Sequence, residues 1–378
     1  MKKASNQPSY LDYNASAPLR PAVAEAVKKT LLLVGNPSSV HTYGRIARAQ
    51  IENARELVAD TIGADPGRLV FTSGGTEANN LAITGTDRKI QLVSDIEHDS
   101  VLAASPKALR IPVDQTGIVN PSALDEILTR QNSPALVSVM LANNETGVIQ
   151  PVAEIATVAH SHNALVHCDA VQALGKLPVD MAALGVDLMT VSAHKVGGPK
   201  GIGALAIHPR TEIGAQLVGG GQESRRRAGT ENVSGAVGFA ETCVEINKNQ
   251  DEIDRILYLR NRFEKQLISE VPDIEIHGRG NPRLVNTSCV RLVGMRAEIQ
   301  IIALDLAGVA VSAGAACSSG KVASSHVLTA MGVEPIAADE SIRVSLGWAT
   351  TEKEIEHATN AWLALYNQIQ NKSGRTAA

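Results

Sequence analysis

The stretch Asp187-Leu-Met-Thr-Val-Ser-Ala-His-Lys195 is apolar for most of its length and then delivers a serine, a histidine and a lysine just ahead of Val196-Gly-Gly-Pro199. A run this short and this continuously apolar predicts a strand covered on both faces. Similar runs stand at Leu69-Phe71, Ile90-Ser94, Ala135-Ala142, Ala164-Asp169 and Gly203-His208. Helical patterns separate them. In the clearest, Ala47, Ile51, Ala54, Val58 and Ile62 share one helical face, and Gly63 follows to end it. This alternation, which continues to about residue 240, predicts an α/β fold: a large domain with a mostly parallel mixed sheet flanked by helices.

After Cys243 the texture changes to a polar helical stretch and then to a Pro- and Gly-containing segment, Val271 to Pro282. Strands are expected at Leu284-Leu292, Val309-Ala313 and Ser341-Leu346, with helices at Arg296-Ala307 and near Ser325-Met331. The last helix opens with the capping-box pattern Thr351-x-x-Glu354 and carries Ile355, Ala358, Trp362, Leu365 and Ile369 on one face. A chain of 378 residues suits two domains. The expected division is a large domain over 15–250 and a smaller α+β C-terminal domain over 251–378, with segment 1–14 packing near the smaller one.

A 44% hydrophobic, 20% charged composition excludes disordered, collagenous and coiled-coil classes. The formal charge of −4 gives no global basic field for nucleic acid or anionic lipid. No apolar run approaches the ~20 residues of a membrane span, and Met1-Lys2-Lys3 leads into polar Ser5-Asn6-Gln7 with no apolar signal core. The cytoplasm is the expected compartment. Cys168, Cys243, Cys289 and Cys317 are too few and too scattered for a disulfide framework.

Three strand ends could carry chemistry. In Thr72-Ser-Gly-Gly-Thr-Glu77 a strand ends in hydroxyls and glycines before a helix, a place where free N–H groups can receive a phosphate, although an ordinary capped turn would look the same. Lys195 ends an apolar strand, and a lysine in apolar surroundings is easily deprotonated and condenses with aldehydes; the plainer reading is a lysine turned to solvent. Asp169, 26 residues before Lys195, ends the strand Ala164-Asp169, with Gln172 one turn on; it suits a pyridinium partner or simply a helix cap. Together these are a phosphate cradle, an imine-forming lysine and a carboxylate for a ring nitrogen.

The sequence resembles the cysteine desulfurases, pyridoxal 5'-phosphate enzymes of the class V aminotransferase-like, fold type I group, along nearly its whole length. The resemblance rests on Tyr10-Leu-Asp-Tyr-Asn14, Gly35-Asn-Pro-Ser-Ser-Val-His41, Ser73-Gly-Gly-Thr-Glu-Ala-Asn-Asn80 and Glu97-His98. It continues through Ala142-Asn-Asn-Glu-Thr-Gly147, His167-x-Asp-Ala-x-Gln172, Ser192-Ala-His-Lys195, Arg227-Ala-Gly-Thr230 and Ser312-Ala-Gly-Ala-Ala-Cys317.

By that resemblance Lys195 would form the imine with the cofactor, Asp169 would pair with the pyridine nitrogen, Gln172 would bond the ring hydroxyl and His98 would stack on the ring. Gly75, Thr76, Ser192 and His194 would hold the phosphate. Thr230 would reach the phosphate of a partner subunit, which implies a homodimer with shared active sites. Asn144 and Arg343 would grip the substrate carboxylate; Arg343 sits in an apolar strand, where a guanidinium needs an anion. Without that context His98 reads as a loop histidine. Arg225-Arg226-Arg227 beside Gly219-Gly-Gly221 reads as an electropositive loop near a phosphate. His160 and His162 read as helix-end residues, and no His/Cys cluster has metal-ligand spacing.

Cys317, among small and polar neighbours with Lys321 close by to favour thiolate, resembles the sulfur-carrying cysteine of the longer-loop branch; the other three cysteines read as core residues. The activity implied is removal of sulfur from L-cysteine, giving L-alanine and a persulfide on Cys317 for delivery to a sulfur-acceptor protein, in iron-sulfur cluster assembly or thiolation. A selenocysteine lyase or another class V enzyme acting on an amino acid is the alternative. A non-catalytic binding subunit is disfavoured by the intact Lys195, Asp169, His98 and Cys317. The C-terminus, from Asn367 on, does not match the tail by which some relatives dock an iron-sulfur scaffold.

Overall fold

The computed structural model describes residues 8–249, 251–314 and 324–376. Cys317 and Lys321 lie outside the described residues. In chain order the first strands are β1 (Ser9–Tyr10), β2 (Leu69–Thr72), β3 (Ile90–Ser94), β4 (Leu109–Ile111), β5 (Ala135–Met140), β6 (Leu165–Asp169), β7 (Leu188–Ser192) and β8 (Gly203–Ile207). The rest are β9 (Glu275–His277), β10 (Thr287–Arg291), β11 (Val309–Ala310), β12 (Ser312–Ala313) and β13 (Ser341–Ser345).

Seven strands form the central sheet in the order β2-β8-β7-β6-β5-β3-β4. Contacts from β4 through β7 are parallel, and only β8 runs against its two neighbours. Strands β5 to β8 are buried except for a half-exposed Leu165, because helices cover both faces; this is why their sequences carry no polar alternation. One face packs on the helix Thr42–Thr61 through Ile51 and Val58, with Ile62 just past its end, and the other on the helix Gly75–Gly85 through Leu81 and Ile83.

A second, four-stranded antiparallel sheet has the order β12-β13-β10-β9. It is backed by the helices Asp251–Glu270 and Glu352–Thr376, whose Phe263 and Trp362 are fully buried in its core. The capping box forms as its sequence predicts: the Glu354 amide donates to Thr351 Oγ1 at 3.3 Å, and the Thr351 amide donates to Glu354 Oε2 at 2.8 Å. Residues 8–14 lie along this sheet. β1 pairs with β11 in parallel, and Asp12 bridges Ser345.

The single strand expected over Val309–Ala313 is two. The chain changes sheets at Val311, so β11 pairs with β1 while β12 pairs with β13. The sequence cannot reveal the break, because the residues on either side of it are equally strand-like.

Candidate active site

Strands β2, β3, β5, β6 and β7 all point the same way, so their C-terminal ends open on one edge of the sheet. That edge is where open α/β sheets bind ligands. A cavity of about 250 Å³ lies there, lined by Gly75 and Thr76 after β2, His98 after β3, Asn144 after β5, Asp169 and Gln172 after β6, and Ser192, His194 and Lys195 after β7. Nine residues nominated from the sequence thus meet in one place.

Asp169 is nearly buried. Its Oδ2 accepts from Asn79 Nδ2 at 2.7 Å and its Oδ1 from the Val171 amide at 2.9 Å. Asn79 also donates to Ser100 Oγ at 2.9 Å, and Ser100 Oγ is 2.9 Å from His98 Nδ1. The Ser100 amide donates to the same Nδ1 at 3.1 Å, which places the ring proton of a neutral His98 on Nε2. Asn79 and Ser100 thereby tie the carboxylate on the cavity floor to the imidazole on its wall.

Lys195 is not in apolar surroundings. Its Nζ donates to the carbonyl oxygens of Asn14 at 2.7 Å and Ala15 at 3.0 Å. The polarity comes from the N-terminal segment, 181 residues away from Lys195 in sequence at Asn14. Asn14 is a hub. Its carbonyl also accepts from Gln172 Nε2, its Oδ1 accepts from Asn286 Nδ2 and Lys176 Nζ, and its Nδ2 donates to Thr287 Oγ1 and to the Asn144 carbonyl. Gln172 is pinned at its other end, where Oε1 accepts from Lys176 Nζ at 2.8 Å. Burial, with the nearby charges of Lys195 and Arg343, pushes the Lys176 amine well below the ordinary lysine range. The sequence alone assigns no role to Asn14, Lys176, Asn79 or Ser100, because bonds between distant parts of the chain place them here: Asn14 to Lys195 and Lys176, and Asn79 to Asp169 and Ser100.

Burial and then the charges of Lys195, Lys200 and Lys176 push His194 down to about 4, so near neutral pH its imidazole is uncharged. Beneath Asp169, fully buried His167 sits 3.2 Å from Ser138 Oγ and 3.1 Å from Thr190 Oγ1, and burial pushes its pKa down to about 4 against an opposing pull from Asp169. From pH 6.5 down to 4 the unfolded chain therefore binds a proton at this residue that the folded chain refuses, and the contribution of His167 to stability falls by about 3 kcal/mol across that window. Glu97, pushed up to about 8 mainly by burial, acts in the opposite sense, because its folded carboxyl holds a proton that the unfolded chain releases. The test is a difference. Urea titrations of the native protein and His167→Leu should diverge between pH 6.5 and 4 as the native protein loses ground, whereas curves parallel in pH would contradict a neutral buried His167.

Two nominated residues stand outside the cavity lining. Thr230 is exposed and lines a neighbouring cleft with Ser73 and Arg227. Arg227 is engaged by Glu77, with Nε 2.8 Å from Oε1, so its charge is already matched on its own chain. The segment before Thr230 carries Glu223, Ser224 and Arg225 in the left-handed region, at φ of 45°, 55° and 63°. A buried fork holds it: Glu223 accepts from both Nη atoms of Arg55 and from the Phe71 amide. Arg343, on β13, donates from Nη2 to Asp12 Oδ1 at 2.8 Å and from Nη1 to the Asn144 carbonyl at 3.1 Å. Cys168, Cys243 and Cys289 are buried and their thiols are pushed upward by burial, Cys243 to about 12, as suits core residues. Among the described residues no group of three His, Cys, Asp or Glu side chains could hold a metal, and no helix is long and apolar enough to cross a membrane.

The family described as Aminotransferase class-V matches residues 9–357. A cysteine desulfurase of Dictyoglomus turgidum is 41% identical, with 96% of each chain covered. This chain belongs to the cysteine desulfurases of the class-V aminotransferase family. An IscS-like cysteine desulfurase of Mycobacterium tuberculosis is 38% identical to it, over 93% of this chain and 94% of the relative. Among solved structures, a NifS-like protein from Rickettsia africae superposes with a TM-score of 0.89 at 34% identity, covering 96% of this chain and all of that one.

Cysteine desulfurases depend on pyridoxal phosphate, and the donor set here fits that group. At the phosphate end the helix Gly75–Gly85 starts with no side-chain cap, which leaves amide N–H groups free. Ser192 Oγ, buried in the wall beside it, has no partner, an orphan that an anionic oxygen would satisfy. A Cβ on Gly75 would stand 2.9 Å from Val171 Cγ2, so only glycine leaves this wall open. At the ring end, Asp169 is the carboxylate that a pyridinium requires.

Proposed function

We propose that this desulfurase takes sulfur from L-cysteine, releases L-alanine and leaves a persulfide on Cys317. The observation that carries the reading is the meeting of Lys195, Asp169 and the open helix start with Ser192 in one cavity.

Pyridoxal phosphate, when bound, supplies an electrophilic carbon and an electron sink. Lys195 would hold it covalently and move the proton at the substrate Cα. Asp169 would hold the proton at the ring nitrogen, its direction fixed by Asn79 and the Val171 amide. Thr76, Ser192, neutral His194 and the helix amides would take the phosphate; Gln172 would take the ring hydroxyl, and His98 would cover the ring face. Arg343 and Asn144 would bind the substrate carboxylate. The Cys317 thiolate would attack the substrate sulfur, so that the carbon–sulfur bond breaks as the sulfur–sulfur bond forms. L-cysteine plus the Cys317 thiol equals L-alanine plus the persulfide, with no external oxidant or reductant.

The exposed position of Thr230, outside its own chain's cavity, supports the reading that it serves a second copy in a homodimer. We further take the chain as two domains dividing near residue 250, working in the cytoplasm and passing sulfur to an acceptor protein. The test is incubation with L-cysteine and a thiol reductant. Alanine and sulfide should appear in equal amounts, and formation of pyruvate and ammonia in place of alanine would overturn the reading.

A further inference from the structure

Arg343 is 4% exposed, and its guanidinium is already engaged on the wall next to the cavity. Asp12 Oδ1 accepts from Nη2 at 2.8 Å, the Asn144 carbonyl accepts from Nη1 at 3.1 Å, and buried Nε has no partner. A carboxylate recognised by a guanidinium takes two N–H groups in parallel. Both faces of the guanidinium that offer such a pair, Nε with Nη2 and Nη1 with Nη2, include Nη2, where Asp12 sits, so an incoming carboxylate meets the negative charge of Asp12. The backbone of Asp12 is fixed by its bridge to Ser345 in β13, whereas its side chain is 19% exposed and has a way out to water. We infer that Asp12 is a resident carboxylate that occupies Arg343 in the empty site and must be displaced by the carboxylate of the amino-acid substrate, so that Asp12 sets the substrate affinity. This rests on the proposed role of Arg343 as the carboxylate anchor.

The energetics favour an exchange. A buried guanidinium without an anion is costly, so Asp12 stabilises the empty site, and the incoming carboxylate replaces one ion pair with another without gaining a wholly new one. Asp12→Asn keeps an acceptor oxygen at the same position and removes the competing charge. The KM for L-cysteine should fall by about three- to tenfold and by more than kcat changes, and the Kd of the holoenzyme for L-alanine, by calorimetry, should fall by a similar factor. In an Arg343→Met background the Asp12→Asn change should have no effect on L-alanine binding.

A purely structural role for Asp12 predicts the opposite sign. If Asp12→Asn raises KM and weakens L-alanine binding, Asp12 orients Arg343 and the inference is overturned. L-alanine and propionate binding report on the exchange even if L-cysteine proves not to be the substrate, so failure of the desulfurase reading and failure of this inference are separable.

Discussion

Lys195→Ala should lose at least ~10³-fold in turnover of L-cysteine and fail to retain a pyridoxyl group after borohydride reduction. The loss is large because one amine would do two jobs, carrying the cofactor and moving the proton at the substrate Cα. Asn14 and Ala15 hold that amine through carbonyl oxygens, so its direction is set by backbone that the Lys195→Ala substitution leaves intact. The remaining contacts to phosphate, ring nitrogen and ring hydroxyl lie on other strand ends, so the variant should still take up the cofactor non-covalently. A second amine at the site, Lys176, is buried and committed to Asn14 and Gln172. Peptide mapping after reduction checks this directly. A pyridoxyl group recovered on Lys176, or near-native turnover, would contradict the assignment of Lys195.

Cys317→Ala should take up cofactor normally, with Lys195 still modified on reduction, and yet lose desulfuration by ~10³-fold or more. Cys168, Cys243 and Cys289 cannot replace it, because each is buried with its thiol pushed upward and thiolate is the nucleophilic form. Alanine formation under reducing conditions is the measure. Substantial retained alanine formation would mean that sulfur leaves without a protein nucleophile.

Much of the site was legible in the sequence because buried strands of a parallel sheet read as continuous apolar runs and the chemistry stands at their ends. Asp169, Ser192 and Lys195 each follow such a run, and the direction of the strands alone brings them together. The resemblance named Arg343 but not its occupant. Asp12 is 331 residues away, on a segment that pairs with β11 and β13, and no periodicity joins residues at that distance. Asn14 escaped for the same reason: its side chain and carbonyl link Lys195, Gln172 and Lys176 to Asn286 and Thr287 across the two sheets. The expectation that Lys195 sits in apolar surroundings followed from its own strand, which is apolar, whereas the carbonyls that meet its amine belong to the N-terminal segment.

A single turnover without reductant tests sulfur transfer to the protein most directly. Holoenzyme mixed with L-cysteine, quenched and digested should yield one alanine per active site and a Cys317 peptide heavier by one sulfur atom. Alanine formed with the Cys317 peptide unmodified, or the extra sulfur found on Cys168, Cys243 or Cys289, would contradict it.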